Sequence, residues 1–131
     1  MSEKLQTIAA ITMFIDDRER SKAFYEQVFE APTVHEDDVS IAFKFESIVI
    51  NLLEVSEAPG LIGPARVATA DTGSRFQLTV SVEDTDAVCS QLAALGVELL
   101  NGPINRPWGI RTAAFTDPDG HIWEVAGKIP E

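Results

Sequence analysis

Ile11-Thr12-Met13-Phe14-Ile15-Asp16-Asp17-Arg18-Glu19-Arg20-Ser21-Lys22-Ala23-Phe24-Tyr25 changes its period in the middle. From Ile8 to Ile15 the pattern alternates. Ile11, Met13 and Ile15 share one face, and Ala10, Thr12 and Phe14 share the other, as in a half-buried strand. After Asp16-Asp17 the spacing becomes helical, with Phe24 and Val28 four apart and Tyr25 and Phe29 four apart. Asp16 followed by Glu19 reads as a capping box, and Phe29-Glu30-Ala31-Pro32 ends the helix.

The same change of period recurs 67 residues later. Phe76, Leu78, Val80 and Val82 alternate with Gln77, Thr79 and Ser81, and Glu83-Asp84 supplies the cap. Val88, Leu92 and Leu95 then recur at helical spacing before Gly96. At this offset Ile11 meets Leu78, Met13 meets Val80, Ile15 meets Val82 and Val28 meets Leu95, so apolar positions fall on apolar positions. Strand signals follow each helix: 41–45 and 48–53 in the first half, 111–116 and 121–126 in the second, with short strands near 33–34 and 97–100. Asp117-Pro118-Asp119-Gly120 fits a tight turn with Pro second and Gly fourth. The expected fold is α+β: one domain over 1–131, with a first module at about 5–54, a linker at about 55–74 and a second module at about 75–128. Leu61, Ile62 and Val67 in the linker suit a flap or a subunit contact.

Composition narrows the partners. The chain has 131 residues, with 21 Asp and Glu against 10 Lys and Arg, a formal charge of -11. That charge repels phosphate backbones and anionic lipid heads, so neither nucleic acid nor membrane is an expected partner, and a cationic small molecule is favoured. Cys89 is the single cysteine, which precludes an internal disulfide. No apolar run approaches the ~20 residues of a membrane span, and the N-terminus lacks a signal-peptide layout; the expected location is cytoplasmic.

The opening segment, together with Pro107-Trp108-Gly109-Ile110-Arg111 and Phe115-Thr116-Asp117-Pro118-Asp119-Gly120-His121-Ile122-Trp123-Glu124, resembles the vicinal oxygen chelate superfamily. That group includes glyoxalase I, bleomycin-resistance proteins and extradiol dioxygenases. The resemblance spans essentially the whole chain. It implies paired βαβββ modules, each a curled sheet, forming an open cleft, and it implies a homodimer. Metal-dependent members take two ligands from each module, and the matching positions here are Ala10, Asn51, Gln77 and Glu124. Alanine cannot ligate and amides are weak ligands, so no cofactor is expected and a divalent metal is disfavoured. His35 and His121 are expected at the surface.

Two functional readings follow. The first is a metal-free protein that sequesters a small cationic or aromatic molecule. Its expected ligand contacts are Thr12, Phe43, Asn51, Gln77, Thr79, Trp108, Arg111 and Glu124. Trp108 either stacks on the ligand or packs as a plug, and Phe14, Phe43, Phe45 and Phe115 either wall the cleft or fill the core. The second is an enzyme of lyase, isomerase or dioxygenase type, lactoylglutathione lyase-like. In it Glu124 is the catalytic acid or base, and Asn51 and Gln77 polarise a carbonyl. An acidic tripeptide substrate would need Arg66, Arg75, Arg106 or Arg111 as anchors.

Overall fold

Asp17 caps the first helix of the computed structural model, which describes residues 3–131. Strand β1 (Ala10–Ile15) leads into helix α1 (Arg18–Phe29). The Asp17 carboxylate accepts hydrogen bonds from the Glu19 and Arg20 amides at 3.0 and 3.3 Å, which satisfies two otherwise unpaired N–H groups. The cap therefore lies one residue later than the Asp16–Glu19 box expected from the sequence. Glu30 ends the helix in the left-handed region at φ 52°.

Three antiparallel strands complete the first unit: β2 (Thr33–Glu36), β3 (Ser40–Lys44) and β4 (Val49–Glu54). The sheet order is β1-β4-β3-β2, with β1 parallel to β4. Register places Met13 and Ile15, Ile41 and Phe43, and Ile50 and Leu52 on one face, all buried. Tyr25 of α1 stacks on Phe43, with centroids 5.8 Å apart and planes 14° apart. This apolar face is the core of the unit, because covering it with α1 removes these side chains from water.

The stretch read as a linker is partly helical. It holds a short 3₁₀ turn at Val55–Glu57, helix α2 (Pro59–Ile62) and another 3₁₀ turn at Ala70–Thr72. Leu61 is exposed, while Ala58 is buried. The boundary between the two compact units, Met1–Ala68 and Thr69–Glu131, falls inside it.

The second unit repeats the first: β5 (Leu78–Ser81), α3 (Thr85–Ala94), β6 (Leu99–Asn105), β7 (Ile110–Thr116) and β8 (Ile122–Lys128), in the order β5-β8-β7-β6. Its core holds Leu92, Ala113, Phe115, Trp123 and Val125. Thr85 donates to the Arg111 carbonyl at 2.7 Å, which ties the start of α3 to β7.

Several expectations shift here. β5 starts at Leu78, and Phe76 is half exposed, because the Ser74 hydroxyl binds the Phe76 carbonyl at 3.2 Å and holds the chain in a local bend before the strand. Leu95 leaves the apolar stripe: it caps the helix C-terminus, and Gly96 at φ 80° turns the chain away, leaving Leu95 exposed. His121 is not a surface histidine. Its side chain is 18% exposed, and its Nδ1 lies 2.7 Å from a fully buried Asp117 carboxylate. His35 does lie at the surface, beside Asp37. No helix among the described residues is long and apolar enough to cross a membrane.

Candidate functional site

Glu124 stands on the face of the second sheet that α3 does not cover. Alternation fixes this: Trp123, Val125 and Gly127 face the helix, and Ile122, Glu124 and Ala126 face away. The Thr79 hydroxyl, on the neighbouring strand, donates to Glu124 Oε1 at 3.0 Å. Glu124 pairs on its other side with Ala114, and Ala114 pairs with Asn101. One rung across the sheet thus reads Thr79, Glu124, Ala114, Asn101.

The first unit carries a matching rung. Thr12 pairs with Asn51, Asn51 with Ala42, and Ala42 with His35. The Asn51 amide donates to the Thr12 hydroxyl at 3.4 Å. Ala10 lies on the same face, two residues along β1 from Thr12. Gln77 lies one residue before β5 and is exposed. Sequence alternation therefore placed Thr12, Asn51, Thr79 and Glu124 correctly on the faces turned away from the helices.

Two expected contacts lie elsewhere. Phe43 pairs with Ile50 on the helix-facing side and is fully buried under Tyr25, so it shares no face with Asn51. Arg111 points to the α3 side of its sheet, where Asp86 takes its Nε and Nη2 at 3.1 to 3.2 Å and Asn105 takes Nη1 at 2.9 Å. The sequence gives the parity within each strand, but cross-strand pairing decides which parity faces the helix.

Trp108 sits at the tip of the β6–β7 hairpin, 67% exposed, as its place between Pro and Gly suggests. One face of its indole is already occupied: the Arg106 guanidinium carbon lies 6.0 Å from the ring centroid. Arg106 Nε donates to the buried Thr112 hydroxyl at 2.8 Å, and Nη2 donates to Asn101 at 3.4 Å. Thr112 shares the Glu124 face, two residues from Ala114. Asn101 and Thr112 drew no notice in the sequence, although the Gly102-Pro103 pair beside Asn101 marks an irregular strand.

The family positions do not suit a transition metal. They supply one carboxylate at Glu124, amides at Asn51 and Gln77, no donor at Ala10 and no imidazole. Among the described residues no three His, Cys, Asp or Glu side chains gather as metal ligands would.

A family sequence model for the Glyoxalase/Bleomycin resistance protein/Dioxygenase superfamily matches residues 7–125. The chain belongs to this superfamily. A curated relative, the metallothiol transferase FosB of Lysinibacillus sphaericus, is 27% identical over 120 residues, 92% of this chain and 81% of the relative. A glyoxalase-related enzyme from Fulvimarina pelagi superposes with a TM-score of 0.82 at 28% identity, covering 95% of this chain and 89% of that one. A glyoxalase/bleomycin resistance protein/dioxygenase from Nocardioides gives a TM-score of 0.85 at 21% identity, over 98% of this chain and 87% of its own, and shows the fold alone. The superfamily's paired βαβββ modules are thus the architecture of this chain.

Proposed function

We propose that this member of the superfamily binds a small organic molecule without a resident metal, holding a protonated or hydrogen-bonding group at Glu124 and a planar group at Trp108. The observation that carries this reading is the carboxylate of Glu124, held by Thr79 on the sheet face that α3 does not cover, in a chain whose other family positions offer no competent metal ligand. A desolvated cation–π contact contributes ~2 kcal/mol, and a charge-assisted hydrogen bond contributes roughly 1.5–3 kcal/mol. Glu124→Gln and Trp108→Ala should each weaken a cationic aromatic ligand by about ten- to a hundredfold. Calorimetric titration of a library of cationic aromatics and glycopeptides tests this. Equal affinity for native protein and both folded variants would rule the reading out.

The second reading rests on the relative named as a metallothiol transferase. It makes this chain an enzyme in which Glu124, on the second sheet, serves as acid or base. Conversion of a hit during titration, stopped by Glu124→Gln, would favour it.

The same proposal expects no stoichiometric zinc, nickel, manganese or iron after gel filtration. Elemental analysis of the eluted peak checks that expectation, and stoichiometric retained metal would refute it. Light scattering on the same peak is expected to read a homodimer, twice the 14.3 kDa chain. A 14.3 kDa species alone would remove the dimer from the proposal.

A further inference from the structure

Arg106 is a half-buried guanidinium in an acidic protein, and among the described residues no carboxylate lies within ion-pair distance of it. Its fixed partners are neutral: the Thr112 hydroxyl, the Asn101 amide oxygen and the face of Trp108. The N–H groups that these partners leave free still reach solvent, and among the described residues no counter-charge meets them.

The way Arg106 is held leaves a defined vacancy in its bonding. Thr112 takes Nε and Asn101 takes Nη2, which uses the side edge of the guanidinium. Of its five N–H groups, both on Nη1 and one on Nη2 stay uncommitted, and one from each of these two nitrogens forms the end-on fork. This fork matches the two oxygens of a carboxylate. The planar group is already oriented, so little side-chain freedom is lost when an oxyanion docks.

Its position relative to Glu124 completes the pattern. Arg106 donates its backbone N–H to the Ile110 carbonyl at 2.7 Å, which extends the β6–β7 ladder and puts its side chain on the face of Ile110, Thr112 and Ala114. Asn101 and Glu124 lie on one rung, separated by β7 alone. At ~4.8 Å per strand their Cα atoms stand about 10 Å apart. The intervening residue is Ala114, so no long side chain separates Glu124 from the Asn101 amide that holds Arg106.

We infer that Arg106 is an oxyanion-binding residue, and that the ligand of this face is dipolar, with a carboxylate on the Arg106 fork and a protonated amine toward Glu124. The amine end rests on the function proposed above; the carboxylate end does not. A dipolar ligand also fits the strong net negative charge, because an anion alone is repelled by the protein as a whole while a neutral zwitterion is not.

Three matched probes separate the two ends: 4-(aminomethyl)benzoic acid carries both groups, 4-methylbenzoic acid only the carboxylate, and benzylamine only the amine. Calorimetric titration of the native protein should rank the dipolar probe tightest, by about tenfold over either single-group probe. Arg106→Met should weaken the dipolar probe to the level of benzylamine and abolish binding of 4-methylbenzoic acid. Arg106→Lys keeps the stem and the charge but loses the fork, and it should also bind both acids about tenfold more weakly. If both folded Arg106 variants bind the acids as native protein does, or if native protein binds neither acid up to about 10 mM, Arg106 is not an oxyanion site. If Glu124→Gln leaves all affinities unchanged while the Arg106 variants lose the acids, the oxyanion site stands and the Glu124 reading falls.

Discussion

Asp117→Ala should destabilise the second unit by about 3–5 kcal/mol, because it removes a fully buried carboxylate that pairs with His121 and accepts two backbone amides. The Asp117 side chain is fully buried. One carboxylate oxygen accepts the Asp119 and His121 amides at 3.0 and 2.9 Å, and the other lies 2.7 Å from His121 Nδ1. Without it, the turn between β7 and β8 keeps its 3.0 and 3.1 Å backbone bonds from Asp117 and Gly120 but loses the group that organises them. β8 carries Glu124, so the defect spreads to the face proposed to hold the ligand. Urea unfolding measures the loss, and a change below ~1 kcal/mol would show that the turn holds without its carboxylate.

The same pair sets a pH dependence. Burial alone lowers the affinity of His121 for its proton. The hydrogen bond and charge of Asp117, with Asp119 adding, outweigh it and raise the His121 pKa. A raised folded pKa means that the imidazolium stabilises the fold. That contribution is complete below the ordinary imidazole value of about 6.5, and it is lost as the pH rises through the raised folded value. Unfolding free energy should therefore fall from near neutrality upward. His121→Gln should flatten this part of the profile, and an unchanged profile would assign the dependence to other groups.

Gly102→Ala should cost a comparable amount. Gly102 has φ 92°, and a Cβ built there would lie 2.5 Å from the Thr112 carbonyl oxygen and 2.7 Å from the Ala113 Cα. Left-handed backbone costs an L-residue about 1–2 kcal/mol, and overpacking adds typically 1–3 kcal/mol. The obstructing atoms are backbone, so β6 must lift from β7. The register shift between Asn101 and Ile104 shows why the approach is so close: an extra residue bulges there, and it turns both Asn101 and Ile104 to the Glu124 face. Gly102→Ala should accordingly lose acid binding along with stability. Gly60→Ala is the control, since its Cβ would meet nothing within 4 Å. Equal unfolding midpoints for the two variants would contradict the bulge as a packing constraint.

The repeat and its two sheets were legible because each opening strand switches period at an acidic cap, and Ile11, Met13 and Ile15 match Leu78, Val80 and Val82. Alternation likewise exposed Thr12, Asn51, Thr79 and Glu124. Cross-strand facts were hidden. Phe43 and Arg111 look like site residues until pairing with Ile50 and Gly127 turns them toward the helices. Arg106 gains its role from Asn101 and Thr112, which only the bulged β6–β7 ladder brings beside it. His121 looked peripheral because its partner, Asp117, reads in sequence as a turn residue rather than a buried acceptor.

The two rungs have a consequence for evolvability. Thr12-Asn51-Ala42 and Thr79-Glu124-Ala114 occupy the same places in two copies of one frame, yet one carries a neutral amide where the other carries an acid. In each sheet the central residue hydrogen-bonds a threonine hydroxyl across the strand pair, and that hydroxyl donates in one copy and accepts in the other. A threonine neighbour is thus a permissive partner. It lets drift exchange acid for amide on the sheet face turned away from the helix without a repacked core, so new chemistry can be sampled in one half while the other keeps the architecture.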